Sequence, residues 1–475
     1  MRLFKSQDAD DLQTQPPWVR GGARDAVIVS ALFLLACWQY FAIVDDRPFH
    51  RDEARWIHRA EYVGELANPF SSYWDESTWI ERGGSLDERY RLRAQPPLGS
   101  YLMGIGLLAQ GRDLDTNGFW VMDDDNVQNA AQGNVPSTED LTAARRTTAV
   151  VSAFTVAVVY FIGTRLTHRV GGVVAALFLL FHPLVNLYAA FAGSDMLLVL
   201  LVALAAVAAY RLADRPSWSR AVLLGVLLGL GGAAKLSPLG IAIPLALLGG
   251  LVILLHLTGK SSRRLTGGQA SSAFGLHLLS VPLVAAATLV ASYPYLWRAP
   301  IEHMRAMFAF RTTGMDLQAS IWEHVAVESP VEALQRVQAR LGDEFTVLGR
   351  LGATWDAGRL ELALAAVGLI VFGWLALRRG IASGHGLAMI VLGGQAAITV
   401  VGMGVDWARY HLPILLLVAV CIGVAVGQGW LLVARKVQLT SEHNHPTTHD
   451  VADSGGVSSG ANWSSTTRPR GGGST

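Results

Sequence analysis

The chain has 475 residues, 51% of them hydrophobic and only 16% charged, with a mean hydropathy of +0.35; a soluble globular chain carries about 25% charged residues. A net charge of +1 excludes a global basic field for nucleic acid and an acidic tail that imitates one. The two cysteines, Cys37 and Cys421, both sit in apolar runs, which excludes a disulfide scaffold and a thiolate metal cluster.

Length alone suggests two or three soluble domains, but the apolar runs overrule it and point to an all-α polytopic membrane protein. A membrane helix needs roughly 20 apolar residues to cross about 30 Å of hydrocarbon. Ten segments qualify, at 26–44, 147–166, 170–190, 194–213, 219–234, 236–257, 273–296, 359–377, 385–405 and 409–434. The fifth is short and meets the sixth at Lys235.

Arginine and lysine set the orientation. Arg20 and Arg24, Arg165 and Arg169, Arg211, Arg215 and Arg220, Lys260, Arg263 and Arg264, Arg378 and Arg379, and Arg435 and Lys436 fall on one face if both termini are cytoplasmic. The turns on the other face, near 191–194 and 406–408, hold no basic residue. The protein is therefore expected to be a multi-pass plasma-membrane protein: a cytoplasmic segment 1–25, a membrane domain 26–437 and a disordered cytoplasmic tail 438–475.

Within the membrane domain, 45–146 forms a first external loop and 297–358 a second. Residues 97–110 are apolar but reach only about 21 Å as a helix, so they are expected to lie in the outer interface rather than cross. In the second loop Ile301, Met304 and Phe308 share one helical face, and Val331, Leu334, Val337 and Leu341 another. The tail carries Asn462-Trp463-Ser464, an N-glycosylation pattern on the wrong side for the enzyme. Its His443, His445 and His449 are read as part of a disordered segment rather than a metal site.

Candidate chemistry gathers on the external side. The first loop opens Phe49-His50-Arg51-Asp52-Glu53, and from Glu53 the residues Trp56, Ile57, Ala60, Val63 and Ala67 recur at helical spacing, as in a helix along the bilayer surface. A carboxylate there either acts as a general base or caps the helix. Gln95-Pro96-Pro97 leads into the short apolar helix. Arg145 and Arg146 precede the second span and either grip a lipid phosphate or anchor at the headgroups. Asp195 opens the fourth span as a cap or a cavity group.

Lys235, the only one of four lysines placed outside, either meets an anion or snorkels. Tyr293, Trp297 and Arg298 leave the seventh span. Arg409, Tyr410 and His411 begin the last one on the face poor in cations, where pairing with phosphate or carboxylate explains the arginine.

The order of these parts resembles the polytopic lipid-carrier-dependent glycosyltransferases of the GT-C fold class, and among them the protein O-mannosyltransferases and the aminoarabinose transferase of lipid A. The likeness rests on Asp52-Glu53 after the first span, Pro96 to Gly99 before a short helix, Arg145 or Arg146 at the next span, Asp195 after a Pro-broken helix, and the Gly-rich turn to Lys235. It implies that Asp52 is the catalytic base and that Glu53 orients it or binds acceptor. It also implies that Arg145, Arg146, Lys235, Arg298 and Arg409 hold the donor phosphate. Gln95, Pro96, Pro97, Asp195, Tyr293, Trp297, Tyr410 and His411 would line the substrate cavity.

The expected reaction is inverting transfer of a sugar, mannose first among the candidates, from a polyprenyl phosphate to a hydroxyl on a protein or an envelope lipid or glycan. Membrane lipid is an expected partner and nucleic acid is not. No cofactor is expected, and no metal ligands are evident, with a divalent ion left open. The chain departs from the O-mannosyltransferase pattern in having Gln95 where His is common, no carbohydrate-binding domain in the second loop, and an acidic insert at Asp123-Asp124-Asp125. The rival readings are a secondary transporter, whose binding groups would lie at the midplane of repeated halves, and a non-catalytic lipid-binding assembly partner.

Overall fold

The structure, a computed structural model, describes residues 22–76, 92–93, 95–260, 271–350 and 357–444. The segment before 22 and the tail from 445, with its glycosylation pattern, His445 and His449, lie outside the described residues. The chain divides into two units, Met1–Trp430 and Leu431–Thr475. The described part of the second is helical; the bundle and its cavity belong to the first.

The longer helices of the first unit, in chain order, are α1 Ala23–Ala42, α2 Arg51–His58, α3 Leu98–Ala109, α4 Thr138–Leu166, α5 Arg169–Phe181, α6 Pro183–Ala189, α7 Asp195–Asp214, α8 Trp218–Ala234, α9 Ala242–Leu257, α10 Ser272–Ser292, α11 Pro300–Ile321, α12 Pro330–Ala339, α13 Ala357–Arg379, α14 Gly384–Val401 and α15 Leu412–Asn444, which continues into the second unit. Among the described residues no strand forms, only one isolated bridge between Ala326 and Val405. An all-helical bundle satisfies every backbone group internally, as hydrocarbon demands.

Eight described helices are long and apolar enough to cross a membrane. The expected third span is a bent pair: α5 and α6 meet at 64°, where Pro183 follows His182 and cannot continue the helix. The expected fifth span, α8, has 17 residues and falls short of a full crossing by itself. Ten apolar segments thus exist, but one is broken and one is short. Outward-facing Leu34, Trp38, Leu247, Leu283 and Ile370 leave an apolar belt suited to lipid.

Small residues set the helix crossings. A Cβ on Gly163 of α4 would lie 2.8 Å from the Gly172 Cα of α5. At the start of α1, Asp25 accepts from Tyr160 at 2.8 Å and pairs with Arg169, so one carboxylate ties α1 to both helices.

Two expectations about the loops change. The face Trp56, Ile57 and Ala60 does not lie along a bilayer surface; it is buried against Met103 and Leu107 of α3, Ala143 and Ala144 of α4, and Ala192. An apolar stripe has the same period whether it meets lipid or protein. In the second loop, Ile301, Phe308, Val331 and Leu334 are exposed and Leu341 is buried, so neither predicted face is uniform. The twelve-residue α3 is as short as expected, about 18 Å long.

If α3, at about 18 Å, does not cross, the loop between α3 and α4 lies on the same side as α2. Asp123 is exposed there. In intact cells, a single cysteine replacing Asp123, in a chain with Cys37 and Cys421 changed to Ser, should react with an impermeant maleimide. Labelling that requires permeabilisation would place this loop inside and invert the topology.

Candidate active site

Local sequence builds the first corner of the site. His50 accepts the Asp52 N–H at 3.1 Å, and the Glu53 carboxylate accepts the His50 N–H at 3.1 Å, a reciprocal cap that starts α2 sharply. The two neighbouring carboxylates then diverge. Glu53 turns inward and is fully buried. Arg145 donates to it from Nε at 2.9 Å and Nη2 at 2.7 Å, and the Ala192 N–H donates to it at 3.1 Å. Arg145 spends its remaining donors on the carbonyls of Val44, Arg47 and Pro48, at 3.0, 2.8 and 3.0 Å.

Asp52 faces a cavity of about 310 Å³. Its charged wall consists of Asp52, Asp195, Lys235, Arg311 and Arg409; its polar groups include Gln95, Ser194, Ser237, Thr312, Thr399 and Tyr410. Trp56, Leu198, Phe308, Met315, Ile398 and Met403 make much of the rest apolar. Arg409 is ion-paired with Asp52, and Lys235 with Asp195.

Tyr410 stands among the cations. Lys235 Nζ lies 5.4 Å from its ring centre, the guanidinium carbons of Arg311 and Arg409 lie at 5.6 and 5.7 Å, and Arg311 also donates to its hydroxyl. Three cations against two carboxylates leave this wall with one net positive charge, suited to an anion. Burial by itself raises the Asp52 carboxyl, but Arg409, with His50 behind it, overrides that and holds it at about 2. Asp52 is therefore ionised at neutral pH and, while Arg409 holds it, a weak base.

The structure brings together Asp52, Gln95, Pro96, Asp195, Lys235, Arg409 and Tyr410 of the sequence-derived set. It separates the others. Glu53 and Arg145 pair with each other, buried inside the protein, and neither lies on the cavity wall. Arg146 is exposed and absent from the cavity wall. Arg298 is half exposed and pairs with Asp75.

Pro97, Tyr293, Trp297 and His411 are likewise absent from the wall. The Tyr293 hydroxyl donates to Leu92 O at 2.6 Å and the Trp297 indole to Val290 O at 2.8 Å, which makes both packing groups. His411 is buried against Asp406 at 2.7 Å, and Arg340 holds the same carboxylate at 3.1 Å. That contact clasps the second loop to the turn before α15. Arg311, Ser194 and Ser237 are cavity residues that the sequence reading passed over. Among the described residues, no group of three or more His, Cys, Asp or Glu is placed to hold a metal ion.

A family model described as dolichyl-phosphate-mannose-protein mannosyltransferase matches residues 137–291, from the start of α4 to the end of α10. Asp195 and Lys235 lie inside the matched stretch; Asp52, Arg311 and Arg409 lie outside it. The match falls in the class that the order of motifs resembles. No curated protein sequence matches the chain.

Among solved structures, the chain is similar to the oligosaccharyltransferase AglB from Archaeoglobus fulgidus, in complex with an inhibitory peptide and a dolichol-phosphate. Identity there is 14% and the TM-score 0.46, over 90% of this chain and 53% of that one. It is also similar to ArnT from Cupriavidus metallidurans bound to undecaprenyl phosphate, at 16% identity and a TM-score of 0.44, over 89% and 64%. The chain spans about half the length of the first and less than two thirds of the second.

Glu53→Gln should lower stability by about 3–5 kcal/mol, because it strands the buried Arg145 charge. Arg298→Ala, which breaks an exposed pair, should cost about 0–1 kcal/mol. Thermal unfolding of both variants in detergent checks the contrast; equal effects would deny the Glu53–Arg145 pair its structural role.

Proposed function

We propose that the protein is a membrane glycosyltransferase that moves a sugar from a polyprenyl phosphate to an acceptor hydroxyl at the outer face of the membrane, with inversion at the anomeric carbon. The observation that carries this reading is the cavity in which Asp52 and Asp195 meet Lys235, Arg311 and Arg409 beside an apolar wall. A lipid-linked sugar phosphate offers the complements: an anion for the cations, hydroxyls for the carboxylates and a hydrocarbon chain for the apolar wall. The family match over 137–291 supports the class of reaction. Mannose is the first candidate sugar, and the acceptor is a protein or an envelope lipid or glycan.

The donor phosphate takes its place among Lys235, Arg311 and Arg409, where preorganised cations meet the charge that grows on the leaving oxygen. As the phosphate draws Lys235 and Arg409 to it, their hold on Asp195 and Asp52 weakens. Arg409 turning to the phosphate makes Asp52 a stronger base. The acceptor oxygen attacks the anomeric carbon as Asp52 takes its proton; the bond from that carbon to the phosphate oxygen breaks, and polyprenyl phosphate leaves. Asp195 keeps Lys235 at the site between turnovers. Crowding of these groups at one side of the bundle, beside α2 and α11, favours this reading over a transporter with midplane ligands.

Membranes that contain the protein and supply acceptors, incubated with labelled polyprenyl-phosphate sugars, should transfer the sugar from at least one of them to a hydroxyl acceptor; no transfer from any beyond that in membranes lacking the protein would overturn the reading. Asp52→Asn should lower turnover by roughly 10²–10⁴-fold while polyprenyl phosphate still binds, because Arg409 is then free for it. Near-normal turnover would reduce Asp52 to a partner of Arg409. Lys235→Gln should weaken polyprenyl phosphate binding by about 1.5–3 kcal/mol, and Lys235→Arg should recover part of it; unchanged affinity in a titration would remove Lys235 from the phosphate site.

A further inference from the structure

Ser194 stands at the N-cap of α7, where serine ordinarily accepts a backbone N–H of the first turn. It does not do so here. Its φ and ψ of −92° and −3° are helical rather than extended, and its side chain makes no cap bond. The residue is fully buried from bulk solvent, its hydroxyl has no hydrogen-bond partner among the described residues, and it lines the cavity. A buried hydroxyl without a partner costs stability, and a hydroxylated ligand in the cavity would supply that partner.

The surroundings define that ligand. A Cβ on Gly99 would lie 2.7 Å from Ser194 Cβ and 2.5 Å from Trp56 Cζ3, so only glycine at 99 lets the serine and the indole meet at one corner. Trp56 lines the cavity, with the Arg59 guanidinium 4.6 Å from its ring centre. Arg59 Nη2 also holds the Gln95 amide oxygen at 3.1 Å, which fixes Gln95 at the wall. An aromatic platform with hydroxyl and amide groups around it suits a neutral, polyhydroxylated ring.

An anion is a poorer fit, because the next residue is Asp195. The corner also lies where a donor's sugar must be. Asp195 touches Lys235, so a phosphate seated at that lysine is one residue removed from Ser194, and the sugar is bonded directly to the phosphate.

We propose that Ser194, with Trp56 and Gln95, forms the subsite that reads the donor's sugar, the serine hydroxyl hydrogen-bonding a sugar hydroxyl. The inference rests on the glycosyltransferase reading and makes Ser194 a specificity-determining residue. Buried groups that bond a substrate hydroxyl discriminate strongly against ligands that lack it.

The test measures affinity of wild type, Ser194→Ala and Ser194→Cys for polyprenyl phosphates bearing mannose, glucose, galactose or arabinose, and for bare polyprenyl phosphate. Wild type should bind at least one glycosylated lipid more tightly than the bare one. Both variants should lose about tenfold in affinity for that lipid, on the scale of a lost hydrogen bond, and keep their affinity for the bare one. The Ala variant should be no less heat-stable than wild type.

Wild-type affinity in either variant for the glycosylated lipid would overturn the proposal, as would a parallel loss for both lipids. Wild type that prefers no glycosylated lipid while still binding the bare one would refute the sugar subsite and leave the phosphate site standing. Wild type that binds none of the lipids would refute the glycosyltransferase reading itself.

Discussion

One buried ion pair fixes the geometry of the end of the bundle that holds the cavity. Glu53 and Arg145 meet with two hydrogen bonds, and between them they also hold Val44, Arg47, Pro48, His50 and Ala192. The end of α1, the start of α2, the N-terminal part of α4 and the turn before α7 are thereby referred to one point. A buried pair contributes little net stability over an apolar contact, yet breaking it is costly. Its effect here is positional: with Glu53 pinned inward, the preceding residue on α2 points elsewhere, and that direction is the cavity.

The charged residues at this end of the bundle divide accordingly into two populations. Glu53, Arg145, Asp406, Arg340 and His411 satisfy one another in the protein interior and join segments far apart in sequence. Asp52, Asp195, Lys235, Arg311 and Arg409 sit on the cavity wall, where an incoming anion can redistribute the pairing. Glu53 beside Asp52 shows how fine the division is, since α2 turns adjacent carboxylates about 100° apart.

Hydropathy made the spans legible, and the motif order made the neighbourhood of Asp52, Asp195 and Lys235 legible. Helical period could not say what an apolar stripe packs on, so the Trp56–Ile57–Ala60 face was assigned to lipid when it meets α3 and α4. Nor could sequence tell Arg145 from Arg409: each is an arginine near the start of a span, and only the position of Glu53 or Asp52 opposite it decides which is structural. Arg311 did leave a signal. Phe308, Arg311, Thr312 and Met315 recur at helical spacing on α11 and all reach the cavity. Grouping Phe308 with Ile301 and Met304 as an interfacial stripe hid it. Ser194 left none, because a serine before a helix reads as a cap and only the backbone angles show that it does not cap.

The contact between Asp52 and Arg409 joins residues 357 positions apart. Chains are made from the N-terminus and their early parts settle first, so the Glu53–Arg145 clasp, spanning 92 positions, can close while most of the protein is still on the ribosome. The cation opposite Asp52 arrives only with α15. Until that last segment is inserted, the carboxylate has no arginine to restrain it and the cavity lacks both Arg409 and Tyr410. Completion of the site is thus coupled to completion of the polypeptide, and a partly inserted chain in the membrane holds a scaffold without its chemistry.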